Sequence, residues 1–116
     1  MADDKKKIPA FFFRSDSGAE PVRAWLKALE SGDRKIIGED IKTVEFGWPI
    51  GMPVCRSISS HKGLWEVRSS LPNNRIARVL FAIIDGRMIL LHGFVKKTSK
   101  TPKSDLDLAL RRMKEI

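Results

Sequence analysis

At 116 residues the chain is long enough to bury one ordinary hydrophobic core and too short for two. With 42% hydrophobic and 31% charged residues it reads as a globular chain, and no stretch approaches the roughly 20 apolar residues that cross a bilayer. No membrane partner is expected. The formal net charge of +8 attracts polyanions, and its distribution is uneven. Residues 1–58 carry 10 Lys+Arg against 9 Asp+Glu, whereas residues 59–116 carry 12 against 5, so +7 of the +8 belongs to the second half.

Met1 to Lys7 is acidic and then basic, with no apolar core or small-residue cleavage pattern behind it, so the cytoplasm is the expected location. Residues 1–9 read as a disordered basic tail ahead of a single domain over 10–116. Ala10 to Arg14 (AFFFR) suits a short buried strand before the turn chemistry of Ser15-Asp16-Ser17-Gly18. Val22, Trp25, Leu26 and Leu29 fall at helical spacing, with Pro21 in the opening turn and Gly32 at the end. A second helix, with Asp33 as N-cap, buries Ile37, Ile41 and Val44 and ends at Gly47, completing a helical hairpin.

Beyond the Gly47 to Pro53 loop the apolar period changes from 3.6 to 2. Val54 to Ile58, Leu64 to Ser70, Arg75 to Ile84 and Arg87 to Val95 read as strands. Pro72-Asn73-Asn74 and Asp85-Gly86 are the intervening turns, the latter a strong type I′ hairpin signal. Thr101-Pro102 opens a final helix with Leu106, Ala109, Leu110 and Met113 on one face and its charges ordered as the helix dipole prefers. The fold class is therefore α+β, in the order β-α-α-β-β-β-β-α, with an antiparallel-rich twisted sheet.

Alternation along the strands separates charge from core. Ala77, Val79, Phe81 and Ile83 make one apolar side, leaving Arg78 opposite with Ile76 and Leu80. Trp65 and Val67 share a side, with Glu66 and Arg68 on the other. Met88, Leu90, His92 and Phe94 are expected to point together, with Lys96 continuing the series. An arginine within the run VLFAII is costly to bury unpaired, so Arg78 is expected in an ion pair or an anion site. Pairing of Arg68 and Arg78 with Glu66 or Asp85 is the structural alternative, and for His92 it is a hydrogen-bonded core histidine.

Two histidines 31 positions apart and one cysteine, without HExxH or CxxC spacing, supply no zinc site, and no close cluster of carboxylates offers one to magnesium. Nucleophile-elbow, P-loop and dinucleotide-binding patterns are absent as well. Neither metal nor cofactor is expected. What remains is a cationic site.

Leu64-Trp65-Glu66-Val67-Arg68, Arg78-Val79-Leu80-Phe81, Leu90-Leu91-His92-Gly93-Phe94-Val95-Lys96-Lys97-Thr98 and Thr101-Pro102 resemble the phage-derived, HigB-like branch of the RelE/ParE toxin superfamily. Pro21 to Leu26 and Gly51-Met52-Pro53 extend the likeness, which runs from about residue 10 to 116. The resemblance implies a RelE-like fold and a toxin of a type II toxin-antitoxin system. Its activity would be that of a ribosome-dependent mRNA endoribonuclease, silenced by a cognate antitoxin of helix-turn-helix type. By position, Arg68 and Arg78 match the arginines that hold the scissile phosphate, Lys96-Lys97 the basic pair after the last strand, and His92 the family histidine. The chain departs from many relatives in having no tyrosine, Phe81 standing where a tyrosine is common, and in placing Glu66 near where some carry a lysine.

Metal-free RNA cleavage needs a base for the 2′-hydroxyl, cations for the pentavalent phosphate and an acid for the leaving 5′-oxygen. Arginine grips phosphate bidentately but is a poor proton shuttle. Arg68 and Arg78 are therefore expected to stabilise charge, and His92, Lys96 or Lys97 to move protons. Lys62, Trp65, Arg75 and Lys100 are expected to contact RNA. A gyrase-poisoning toxin of the ParE type, with the same fold, and a noncatalytic RNA-binding module stacking bases on aromatics such as Trp65 and Phe94 are the alternatives.

Overall fold

The computed structural model describes residues 5–96 and 101–116. In chain order these form β1 (Ala10–Phe12), α1 (Pro21–Ala28), α2 (Ser31–Gly47), β2 (Cys55–Ser57), β3 (Leu64–Leu71), β4 (Arg75–Ile84), β5 (Arg87–Lys96) and α3 (Lys103–Lys114). The described strands make a five-stranded sheet in the order β1-β5-β4-β3-β2, antiparallel throughout except that β1 runs parallel to β5. This is a mixed α+β architecture, compatible with a RelE-like fold.

Both faces of the sheet are covered. On one face, Val67, Ala77, Val79, Phe81, Met88 and Leu90 pack with Val22 of α1 and Ile37, Ile41 and Val44 of α2. On the other, Leu64, Leu80, Ala82, Leu91 and Phe94 pack against Ala109 and its neighbours on α3. β4 serves both, since its side chains alternate between the two cores and most of its length is buried. Asp85 and Gly86 both take positive φ, so the β4–β5 hairpin closes by the expected turn, as Asn73 and Asn74 do between β3 and β4.

The expected alternation breaks once. Leu80 pairs with His92 while Phe81 pairs with Leu90, leaving Leu91 as an extra residue in β5. Met88 and Leu90 consequently face the helical hairpin, and His92 and Phe94 do not point with them but share the α3 side with Arg78 and Leu80. The bulge is tied down from α3, where Arg112 donates to the Leu91 carbonyl at 2.8 Å. Burial depresses the Arg112 guanidinium below its ordinary pKa. Just beyond, Gly93 faces the hairpin, where a Cβ would lie 2.4 Å from the Trp25 ring, so only glycine lets α1 sit this close to β5.

The helix boundaries also move. α1 stops at Ala28, because Leu29 is extended, and Gly32 lies inside the first turn of α2. Asp33 is not the N-cap. Its carboxylate is taken by Arg75 through two bonds of 2.7 and 3.1 Å, and the helix starts from Glu30, which makes no side-chain cap bond. Residues 6–8, within the segment expected to be a tail, pack onto the domain. Ile8 is buried in the hairpin-side core, the backbone N–H groups of Lys7 and Ile8 reach the Glu45 carbonyl, and Lys6 pairs with the Glu45 carboxylate at 3.0 Å.

Candidate functional site

Arginines from three adjacent strands meet on the α3 side of the sheet. Register places Arg56 opposite Glu66, and Arg68 opposite Arg78, so β2, β3 and β4 bring four charged side chains onto one patch. Glu66 is fully buried and holds two of these arginines. Its Oε2 accepts from Arg56 Nε at 3.1 Å, its Oε1 lies 3.4 Å from Arg78 Nε, and the Thr101 hydroxyl donates to Oε2 at 3.3 Å. Arg78 is 0% exposed. Burial pushes its guanidinium down from the ordinary value; Glu66 opposes this, and Arg68 and Arg56 add to it as like charges.

Arg68 is different. It is half-buried and directly across the ladder from Arg78, a like-charge pairing that disfavours the sheet. Its backbone N–H donates to the Val54 carbonyl at 2.7 Å, but among the described residues its guanidinium makes no hydrogen bond or ion pair. The patch thus carries three guanidinium groups, two of them on the Glu66 carboxylate, an excess of positive charge that a phosphate would balance. A cleft of about 610 Å³ opens onto this excess, lined by Arg56, Arg68, Thr101 and the Ser57, Ser59 and Ser60 end of the β2–β3 loop.

His92 stands on the same face, one strand beyond Leu80, which itself pairs with Glu66. Its Nε2 lies 2.7 Å from Asp105 Oδ1 of α3, and its ring stacks on Phe94 with centroids 5.5 Å apart. With Nε2–H donating to Asp105, Nδ1 is left as the proton acceptor. Lys96 follows at the exposed end of β5.

The sequence-predicted residues separate into two groups. Arg68, Arg78, His92 and Lys96 share the α3 face, and Lys62 is exposed in the loop that also carries Ser59 and Ser60. Trp65 and Arg75 stand on the opposite face. Trp65 packs edge-on against Trp48 at 4.7 Å, part of the hairpin-side core, so it presents no stacking platform beside the arginines. Arg75 is closed against Asp33, a bond that raises its pKa and lowers that of the carboxylate. Phe94, the other stacking candidate, is buried. Lys97 and Lys100 lie outside the described residues.

Arg56 was missed by sequence reading, although its place opposite Glu66 follows once β2 and β3 are paired. Cys55, beside it, is fully buried, its thiol pushed up to about 11 chiefly by burial and secondarily by Glu66, which keeps it protonated and unreactive. Among the described residues there is no group of three His, Cys, Asp or Glu side chains placed to hold a metal ion, and no helix long and apolar enough to cross a membrane.

No curated protein matches the chain. A family model does: that of the phage-derived protein Gp49-like family (DUF891) matches residues 24–114, which takes in α2, all of β2 to β5, and α3. This family falls within the RelE/ParE-like toxin superfamily, whose members of this kind are generally nuclease toxins working opposite an antitoxin. The arginine patch therefore belongs to a member of the Gp49-like family of phage-derived proteins, a family of toxin-antitoxin toxins.

Proposed function

We propose that this chain is a HigB-like, ribosome-dependent endoribonuclease that cuts mRNA without a metal ion and is neutralised by a cognate helix-turn-helix antitoxin, acting as one domain. The observation that carries the reading is Arg68. It is a half-buried guanidinium with no hydrogen bond or ion pair among the described residues, set against Arg78 and opening onto a polar cleft. Such an arrangement disfavours the empty protein and favours one with an anion bound.

In the proposed reaction the 2′-oxygen of the substrate bonds to the adjacent phosphorus as the P–O5′ bond breaks, giving a 2′,3′-cyclic phosphate and a free 5′-hydroxyl. Arg68 and Arg56 grip the non-bridging oxygens, and Arg78 supplies positive potential from below, held in place by Glu66. His92 takes the proton from the 2′-hydroxyl on Nδ1, with Asp105 fixing the ring and stabilising the imidazolium. Lys96 or Lys97 returns a proton to the 5′-oxygen, and Lys62 and Lys100 contact the RNA backbone. The missing tyrosine is no obstacle, because histidine supplies the proton chemistry at neutral pH.

The test is controlled expression followed by mapping of transcript 5′ ends. Cuts within translated codons, bearing 5′-hydroxyl groups and blocked when initiation is blocked, are expected. Intact transcripts with accumulating DNA breaks would overturn the reading in favour of gyrase poisoning, and RNA binding without either would leave a noncatalytic module.

A further inference from the structure

Arg68 is a wall shared by two clefts. Behind the polar one lies a second, of about 410 Å³, between α2 and the edge of β3. That volume is within the range of small-ligand sites, roughly 300–1,000 Å³. Its lining is mostly apolar, from Ile36 of α2, Met52, Pro53 and Val54 of the loop before β2, and Ile76 of β4. Asp40 of α2 is its one carboxylate, half-buried and with no hydrogen bond or ion pair among the described residues. Met52 is 59% exposed at the mouth.

A largely apolar cleft with one carboxylate in its lining, joined through an arginine to a larger polar cleft open to a phosphate, can take the two halves of a nucleotide. We infer that the second cleft takes the base beside the scissile phosphate and that Asp40 selects guanine there. The inference rests on the endoribonuclease reading and adds to it a specificity-determining residue. As a carboxylate, Asp40 offers two acceptor oxygens and no donor. Guanine alone presents two adjacent donors on its Watson–Crick edge, N1–H and the N2 amino group, so it bonds both oxygens. Adenine and cytosine each offer one amino group beside an acceptor, and uracil flanks its single N–H with two carbonyls that face the carboxylate unfavourably. Aliphatic and thioether side chains supply the faces between which the base lies.

The experiment is 5′-end sequencing of cut transcripts from cells expressing the wild-type protein, Asp40→Asn or Asp40→Ala, scoring base frequency around the cut relative to total cutting. For the wild type, guanine is expected at one fixed position, favoured over uracil by roughly 5- to 150-fold, the discrimination of one good bidentate pair. Both variants are expected to lose that bias, because asparagine replaces one acceptor by a donor that opposes guanine. A second measurement does not depend on how the variants fold: the wild-type protein in ribosome extracts should cut a codon containing inosine, which lacks the N2 amino group, more slowly than its guanosine counterpart. Equal cutting of the two codons, or a guanine bias that persists in Asp40→Asn, overturns the assignment and leaves the endoribonuclease reading intact. No RNA cutting by the wild type overturns both.

Discussion

The two faces of the sheet use arginine in opposite ways. On the hairpin side Arg75 is closed by Asp33 in a bidentate pair, its charge and geometry both matched. On the α3 side Arg56 and Arg78 share the Glu66 carboxylate, and the Arg68 guanidinium has no hydrogen bond or ion pair among the described residues. Residue type does not distinguish these arginines; partnership does. A cation matched within the chain holds elements together, whereas an excess of cations over carboxylates stores a demand for an external anion.

The largest effect should come from removing the buried carboxylate that Arg56 and Arg78 share. Glu66→Gln preserves shape and removes the negative charge that faces Arg56 and Arg78, which is expected to cost about 3–5 kcal/mol of stability, as breaking a buried ion pair does. Chemical denaturation of both proteins reads this directly. Sulfate or a short RNA should then raise the melting temperature of the variant more than that of the wild type, since an anion binds the folded form more tightly once a negative charge beside the arginines is gone. Equal stability of the two proteins would mean that Glu66 does not hold the arginines.

Next in size is an exchange of roles between Arg68 and Arg75. Arg68→Ala is expected to lower mRNA cutting by about 100-fold, the effect of removing one charge-stabilising donor from a phosphoryl or acyl transfer site. Its melting temperature should not fall, because the change relieves a like-charge contact with Arg78 and breaks no bond in the described structure. Arg75→Ala should do the reverse, lowering the melting temperature while cutting continues. If Arg75→Ala abolishes cutting in a folded protein, the division between the faces fails.

That division was half legible in the sequence. Alternation alone put Glu66 and Arg68 opposite Trp65 and Val67, and Arg78 opposite Val79 and Phe81, and the structure keeps those faces. Alternation also placed Trp65 among core residues, so its selection as an RNA contact rested on aromatic type against its own strand pattern. Arg75 shares the parity of Ala77 and Val79, but its partner Asp33 lies 42 residues away in another element, a distance no local pattern spans. The bulge was the deeper obstacle. MILLHGFV is apolar through its middle, so an inserted Leu91 leaves no break in alternation, and the face change that brings His92 to the face of Arg78 rests on pairing with β4 and on Arg112 from α3. Arg56 was hidden for a similar reason, since three-residue β2 is too short to show a period.

The smallest expected effect sharpens the comparison from the structural side. The bond to Arg75 holds the Asp33 carboxyl below its ordinary value of 3.8, more than offsetting the burial that pushes it up. In the unfolded chain Asp33 titrates near that ordinary value, so above it the carboxylate is ionised in both states and the pair contributes its full stability. As the pH falls below 3.8, the unfolded chain takes up a proton that the folded one refuses, and the contribution shrinks. It is gone once the pH drops through the folded value. Asp33→Asn removes the charge at every pH, so its melting temperature should lie below that of the wild type at pH 7 and meet it in acid. Because the other carboxylates titrate alike in both proteins, the difference between their melting curves isolates this pair. A difference that stays constant from pH 7 to pH 2 would show that Asp33 contributes through helix geometry and not through Arg75. The hairpin face would then have no matched arginine to set against Arg68.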